Sequence, residues 1–152
     1  MTQDIVYELD NDVLLGKLIE DNWALKGITV KTYYQEDRDV LRGSLAQTNV
    51  LIKVVVGDVV AKPMGIGFDG ESLSRRATFI VMSMKRENVV AGANELRRIL
   101  AVHRFNPCGY WQQCSYVAES SRAVKNTFNV WAKGYVYKLS RPWHALPKRL
   151  IL

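Results

Sequence analysis

Val50-Leu-Ile-Lys-Val-Val-Val56, then Gly57 to Ser74 with glycines at 57, 65, 67 and 70, then Arg75-Arg-Ala-Thr-Phe-Ile-Val-Met-Ser-Met-Lys85 is the stretch that decides the fold. Both apolar runs are short and rich in β-branched residues, which suits strands and not helices. Pro63 and the four glycines between them break regular structure, so residues 57–74 read as a long hairpin loop or extended arm.

Working outward toward the N-terminus, Ile28, Val30, Thr32 and Tyr34 alternate with Thr29, Lys31 and Tyr33, the period of a strand with one wet face. Before it, Leu14, Leu15, Leu18, Ile19 and Trp23 recur at helical spacing. Asp10, Asn11 and Asp12 offer cap oxygens at the start of that helix, and Gly27 offers a stop. Toward the C-terminus, Asn88 can cap a second helix with the stripe Val89, Ala93, Leu96, Ile99, Leu100 and His103, ended by Asn106-Pro-Cys-Gly109. On that helix Arg97 and Arg104 fall about 20° apart at one edge of the stripe. Tyr110–Val117 and Val130–Leu139 read as two further strands, and residues 141–152, with two prolines, read as an extended basic and apolar tail. The order predicts an α+β domain with two helices packed on one face of a mainly antiparallel sheet, a long β-hairpin loop and an extended C-terminal tail. One domain over 1–140 and a tail over 141–152 follow.

The chain has 152 residues, enough for one core without disulfide or metal staples. No run approaches the roughly 18 apolar residues of a membrane-crossing helix, and the N-terminus lacks a basic-then-apolar export signal, so a soluble intracellular protein is expected. Charge is polarised. Residues 1–60 hold ten acids against six bases, whereas 61–152 hold five acids against fifteen bases. Such polarity suits a polyanion, an acidic neighbour or head-to-tail self-association.

Several chemistries can be weighed. Gly65-Ile-Gly-Phe-Asp-Gly70 matches a dinucleotide fingerprint in letters, yet a strand and not a helix follows its third glycine, so no phosphate cradle is expected. His103, Cys108, Cys114 and His144 match no usual zinc spacing, and no metal or other cofactor is expected. Asp58, Asp69 and Glu71 leave a small hydrolase or nuclease as a third-ranked reading. The basic residues lead further. Arg75, Arg76, Lys85, Arg86, Arg97 and Arg104 are candidates to face DNA without reading its sequence, and the alternative is that they pair with an acidic neighbour. Trp143, Leu146 and Leu150 give the tail an apolar side suited to docking on another chain.

The capped first helix ending at Gly27, the Val50–Val56 strand, the Gly57–Ser74 loop, the Arg75–Lys85 strand, the Asn88–His103 helix and the closing Trp131-Ala-Lys-Gly-Tyr-Val-Tyr-Lys138 strand together resemble the tail terminator proteins of tailed phages and archaeal tailed viruses. The resemblance lies in element order and size, over roughly residues 8–140, and no diagnostic motif accompanies it. It implies a non-enzymatic virion protein, assembled in the host cytoplasm, that forms a hexameric ring at the head-proximal end of the tail. Its implied partners are the tail tube protein, the neck or connector proteins and, non-specifically, genome DNA in the lumen, with neither membrane nor small-molecule substrate. The loop residues Lys62, Met64, Ile66 and Phe68 become the expected tube-binding contacts. Another neck or head-completion protein, or a basic nucleic-acid-binding α+β domain, stands as the alternative.

Overall fold

In the computed structural model the two strands read from the sequence extend toward each other, the first as far as Pro63 and the second from Gly70. The described residues are 11–33, 45, 47–63, 70–109, 111–120, 123–125 and 130–145. In chain order the elements are α1 (Asn11–Asp21), β1 (Val30–Tyr33), β2 (Val50–Pro63), β3 (Gly70–Ser83), α2 (Arg86–Val102), β4 (Gln113–Glu119), β5 (Val124–Lys125) and β6 (Trp131–Ala145). β2 and β3 pair antiparallel from Leu51↔Met82 to Pro63↔Glu71. The expected loop over 57–74 is therefore corrected: most of it is strand, and residues 64–69 lie outside the described set. Gly57 and Asp58 are absorbed by a register shift between Val56↔Ala77 and Val59↔Arg75, a bulge that a glycine eases without ending the strand.

The strand order is β1-β2-β3-β6-β4, with β5 also pairing β6. β4 lies beside Tyr135–Ser140 of β6 and β5 beside Trp131 and Ala132, so the two line one edge in succession. β1 pairs β2 in parallel, over Val50 to Lys53 only. β6 corrects a second expectation. It runs on through Pro142 to Ala145 against β3, so the first part of the predicted tail is strand. Pro142 has no N–H to give a ladder, and it falls in the register shift between Leu73↔Arg141 and Glu71↔His144, where none is required.

The fold class itself needs correction. Among the described residues the structure is sheet-rich, with about twice as much strand as helix, and the sheet curls into a half barrel, so it fits a two-helix α+β layer only loosely. The helices do share one cluster: Leu15 and Ile19 of α1 and Val89, Ala93, Leu96, Ile99 and Leu100 of α2 meet Val50, Ile52, Val54, Phe79, Val81, Tyr135 and Leu139 of the sheet. Each of the valine, leucine, isoleucine and phenylalanine side chains among them is worth about 1.5–3 kcal/mol when fully buried. On the other face Tyr33, Leu51, Met82 and Val130 enclose a smaller cluster with Leu45, which a single helical layer would not predict.

Helix boundaries differ from the sequence reading as well. α1 stops at Asp21, before Trp23, whose indole donates to the Ile28 carbonyl at 2.8 Å and closes the turn through Gly27 (φ 78°). α2 starts two residues ahead of Asn88, with Lys85 as its N-cap and no side-chain cap bond. Its position is held by packing: a Cβ on Gly92 would lie 3.1 and 3.2 Å from the two methyls of Val50, so a side chain there would press the helix or Val50 back by a few tenths of an ångström.

Candidate functional site

Arg97 and Arg104 come together as the helical wheel predicts. Both line a cleft of about 310 Å³ between α2 and β4, with Leu100, Ala101, Cys114, Ser115, Tyr116 and Tyr137. Its geometry follows from local pairing. Tyr116 and Tyr137 are cross-strand partners, with rings edge-on at 5.9 Å, and Arg97 reaches from α2 over the Tyr116 ring at 5.4 Å. Ala118 and not Val117 pairs Val136, so the bulge at Val117 sets how β4 continues to Glu119.

Glu119 stands beside one end of the cleft. Its carboxylate accepts from Lys133 Nζ at 2.9 Å and from the Tyr116 hydroxyl at 3.0 Å, and Arg97 Nη1 lies 3.8 Å away. The Lys133 hydrogen bond, with that of Tyr116, holds the Glu119 carboxyl below its usual range, and Glu119 in turn raises Lys133. Burial pushes the Tyr137 hydroxyl up to about 12, against the opposing pull of Arg97. At the other end, Arg104 makes no ion pair with any described carboxylate. It lies 5.1 Å over the ring of Phe105, which is 61% exposed, and its backbone carbonyl accepts the Cys114 N–H at 2.8 Å, which fixes it to the start of β4. One carboxylate is therefore already paired beside the cleft, while within it Arg104 has no ion pair with a described acid and can take another anion.

The other expected cations scatter. Arg75, half-buried, donates to the Gly57 carbonyl and, at 2.8 Å, to Asn11 Oδ1, so it holds α1 to the sheet. Arg76 is exposed on the opposite face, paired in register with Lys138. Lys85 and Arg86 are exposed at the start of α2, where Arg86 lines a shallow depression of about 480 Å³ with Ala123, Val124, Lys125 and Trp131. Lys62 is exposed near the end of β2, in register with Ser72. Met64, Ile66, Phe68, Leu146 and Leu150 lie outside the described residues, and Trp143 is described only as backbone within β6.

Alternative chemistries find little geometry. Asp58 sits at the β2 bulge while Glu71 pairs Pro63, five positions along, roughly 16 Å at strand rise, so the nuclease reading loses two of its three carboxylates as a pair. Asp69 lies outside the described residues. Gly70 opens a strand and not a helix. Burial raises the Cys108 thiol to about 11 and the Cys114 thiol to about 12, which suppresses thiolate at neutral pH. Among the described residues no group of three or more His, Cys, Asp or Glu side chains is placed to hold a metal, and no helix is long and apolar enough to cross a membrane.

The sequence reading missed Tyr116, Glu119, Lys133 and Tyr137. The period-two placement of Tyr135 and Tyr137 was a usable signal for buried tyrosines; the register that brings Glu119 to Lys133 was not. No family model matches the chain, and no curated protein is similar to it.

Proposed function

We propose that the protein is a non-catalytic structural subunit of a viral tail, forming a ring at the head-proximal end that terminates the tail tube and joins it to the neck. One observation carries this reading: β2 and β3 remain paired out to Pro63↔Glu71, with β6 alongside to Gly70↔Ala145, so a three-stranded arm extends past the paired length of β1. The β2 side of that arm is largely exposed from Gly57 onward and ends in Lys62 and Pro63. A preformed arm meets a partner at lower entropic cost than a limp loop, and the same contact repeated around a ring accumulates avidity. The ring belongs to the virion and is built in the host cytoplasm, and genome DNA crosses its lumen without sequence-specific contacts.

Capping of growing tubes tests this. Added to polymerising tail tube protein at amounts far below one per tube subunit, the wild-type chain is expected to stop elongation, and replacing Ala61–Ser72 by a short Gly-Asn turn is expected to abolish that stop while leaving thermal unfolding cooperative. Tubes that lengthen normally in the presence of the wild-type chain, with none bound at their ends, overturn the proposal. The second reading, a basic nucleic-acid-binding domain, draws on the unmatched Arg104 beside Arg97. It requires duplex DNA affinity falling steeply with salt, by a slope that drops about one unit on Arg104→Ala.

A further inference from the structure

We propose that the cleft between α2 and β4 is the socket for the Asp58 bulge of a second copy of this chain, joining the two unlike edges of the sheet from subunit to subunit. The inference rests on the ring reading above and names the surface that would close the ring.

The sheet has two edges of different character. On one side β1 covers β2 only from Val50 to Lys53, and no described strand lies outside Val54–Pro63. That open stretch carries exposed Val55 and Val60 and, in its bulge, exposed Asp58, which has no ion-pairing partner among the described residues. On the other side β4 is exposed at every position except Cys114, and beside it stand the cleft, Phe105, Tyr116 and Val117. On the first edge the ladder from Val54 onward is open and Asp58 puts a negative charge in its bulge, with Lys62 four residues further on; on the second the start of β4 is bonded to Arg104–Asn106, the ladder beyond it is open, and Arg104 supplies a positive charge.

The cleft also shows how it would hold the incoming group. Next to the cleft Glu119 is a carboxylate already seated between an ammonium, a phenol and a guanidinium, and within it Arg104 repeats the cationic half of that arrangement without an acid. An aromatic and arginine surface of this kind is the composition found at the centres of protein interfaces. DNA fits less well, because Arg97 is already engaged with Glu119, and Arg97 and Arg104 each cover one face of the nearest rings, Tyr116 and Phe105. Unlike edges meeting head to tail generate closed rings when the rotation closes. The bulges at Asp58 and Val117 interrupt each ladder, which keeps either edge from pairing with arbitrary strands and leaves the charge pair to choose the partner.

The test is a charge exchange read by sedimentation velocity, in solution and on preformed tube ends. Asp58→Arg and Arg104→Asp are each expected to raise the apparent dissociation constant of the assembly about tenfold or more, as for a close interfacial charge pair. The double variant Asp58→Arg with Arg104→Asp is expected to recover most of that loss, and unchanged circular dichroism and melting of each variant separates lost assembly from lost fold. Singles that assemble like wild type overturn the socket while leaving a ring built elsewhere intact. Two weakened singles with no recovery in the double also overturn it. A wild-type chain that stays monomeric both in solution and on tube ends removes socket and ring together.

Discussion

Asn11 shows how much one amide can hold together here. The residue is 2% exposed, and its Oδ1 accepts from Arg75 on β3 at 2.8 Å and from the buried Trp111 indole at 3.0 Å, so one oxygen joins the start of α1 to residues 64 and 100 positions away. The sequence suggests a cap at this position; burial turns the side chain inward instead. Asn11→Ala removes the acceptor facing the Trp111 N–H and is expected to cost about 1–3 kcal/mol, seen as a lower urea midpoint at unchanged slope. Asn11→Asp, which keeps the acceptor, should lose less; equal losses for the two variants would place the effect elsewhere. The cysteines allow a second check at this scale. With Cys108 near 11 and Cys114 near 12 through burial, iodoacetamide should label both slowly at pH 7.5 in the native protein and rapidly in urea. Fast native labelling would contradict the packing around β4.

At the scale of elements, α2 is placed by closeness. A Cβ at Gly92 meets Val50 at 3.1 Å and Val81 at 3.4 Å, both valines being fully buried. Gly92→Val is therefore expected to overpack the helix–sheet contact and cost about 2 kcal/mol, measured as a drop in unfolding free energy. An unchanged midpoint would mean that β2 yields freely under the helix. Most of the α2 stripe was legible from spacing alone: Val89, Ala93, Leu96, Ile99 and Leu100 are all buried, and Arg97 and Arg104 share one cleft, whereas His103, read as the last member of the stripe, is the half-buried C-cap beyond the helix. The arm was not legible, because Gly57 and Pro63 are ordinary breakers and only the β3 ladder shows that a bulge accommodates the first and a strand end the second. Nor could spacing show the strand through Pro142 or the Glu119 network, since both depend on register shifts between strands distant in sequence. The half barrel escaped for a related reason. Element order counts strands, while curl comes from twist and bulges accumulated across the sheet.

At the scale of the whole molecule, two carboxylates link α2 to its neighbours, one to the turn after α1 and one to the sheet. Glu95, 5% exposed, accepts from Arg98 and from the Ala24 N–H, while Arg98 also donates to the Asn22 carbonyl at 2.9 Å, so this pair binds α2 to the turn after α1. Glu119 joins β4 to β6 through Lys133 at 2.9 Å and approaches α2 through Arg97. Both carboxyls are held below their usual range, Glu95 chiefly by Arg98 against its own burial and Glu119 chiefly by Lys133. A group whose folded value is depressed stabilises the fold above its unfolded value, about 4.3 for glutamate, and loses that contribution as pH falls through the folded value. Stability should therefore be flat above about pH 5 in this respect and decline below it as both ties protonate, the unfolded chain binding protons first. Glu95→Gln keeps the shape but removes the charge, and it should lower the neutral-pH midpoint while flattening the decline between about pH 5 and 3. Glu119→Gln, on an exposed network, should flatten the decline less, because surface ion pairs are screened by solvent. A Glu95→Gln protein whose acid decline matches wild type would show that other carboxylates carry the acid sensitivity, and that α2 is held to the α1 turn by packing alone.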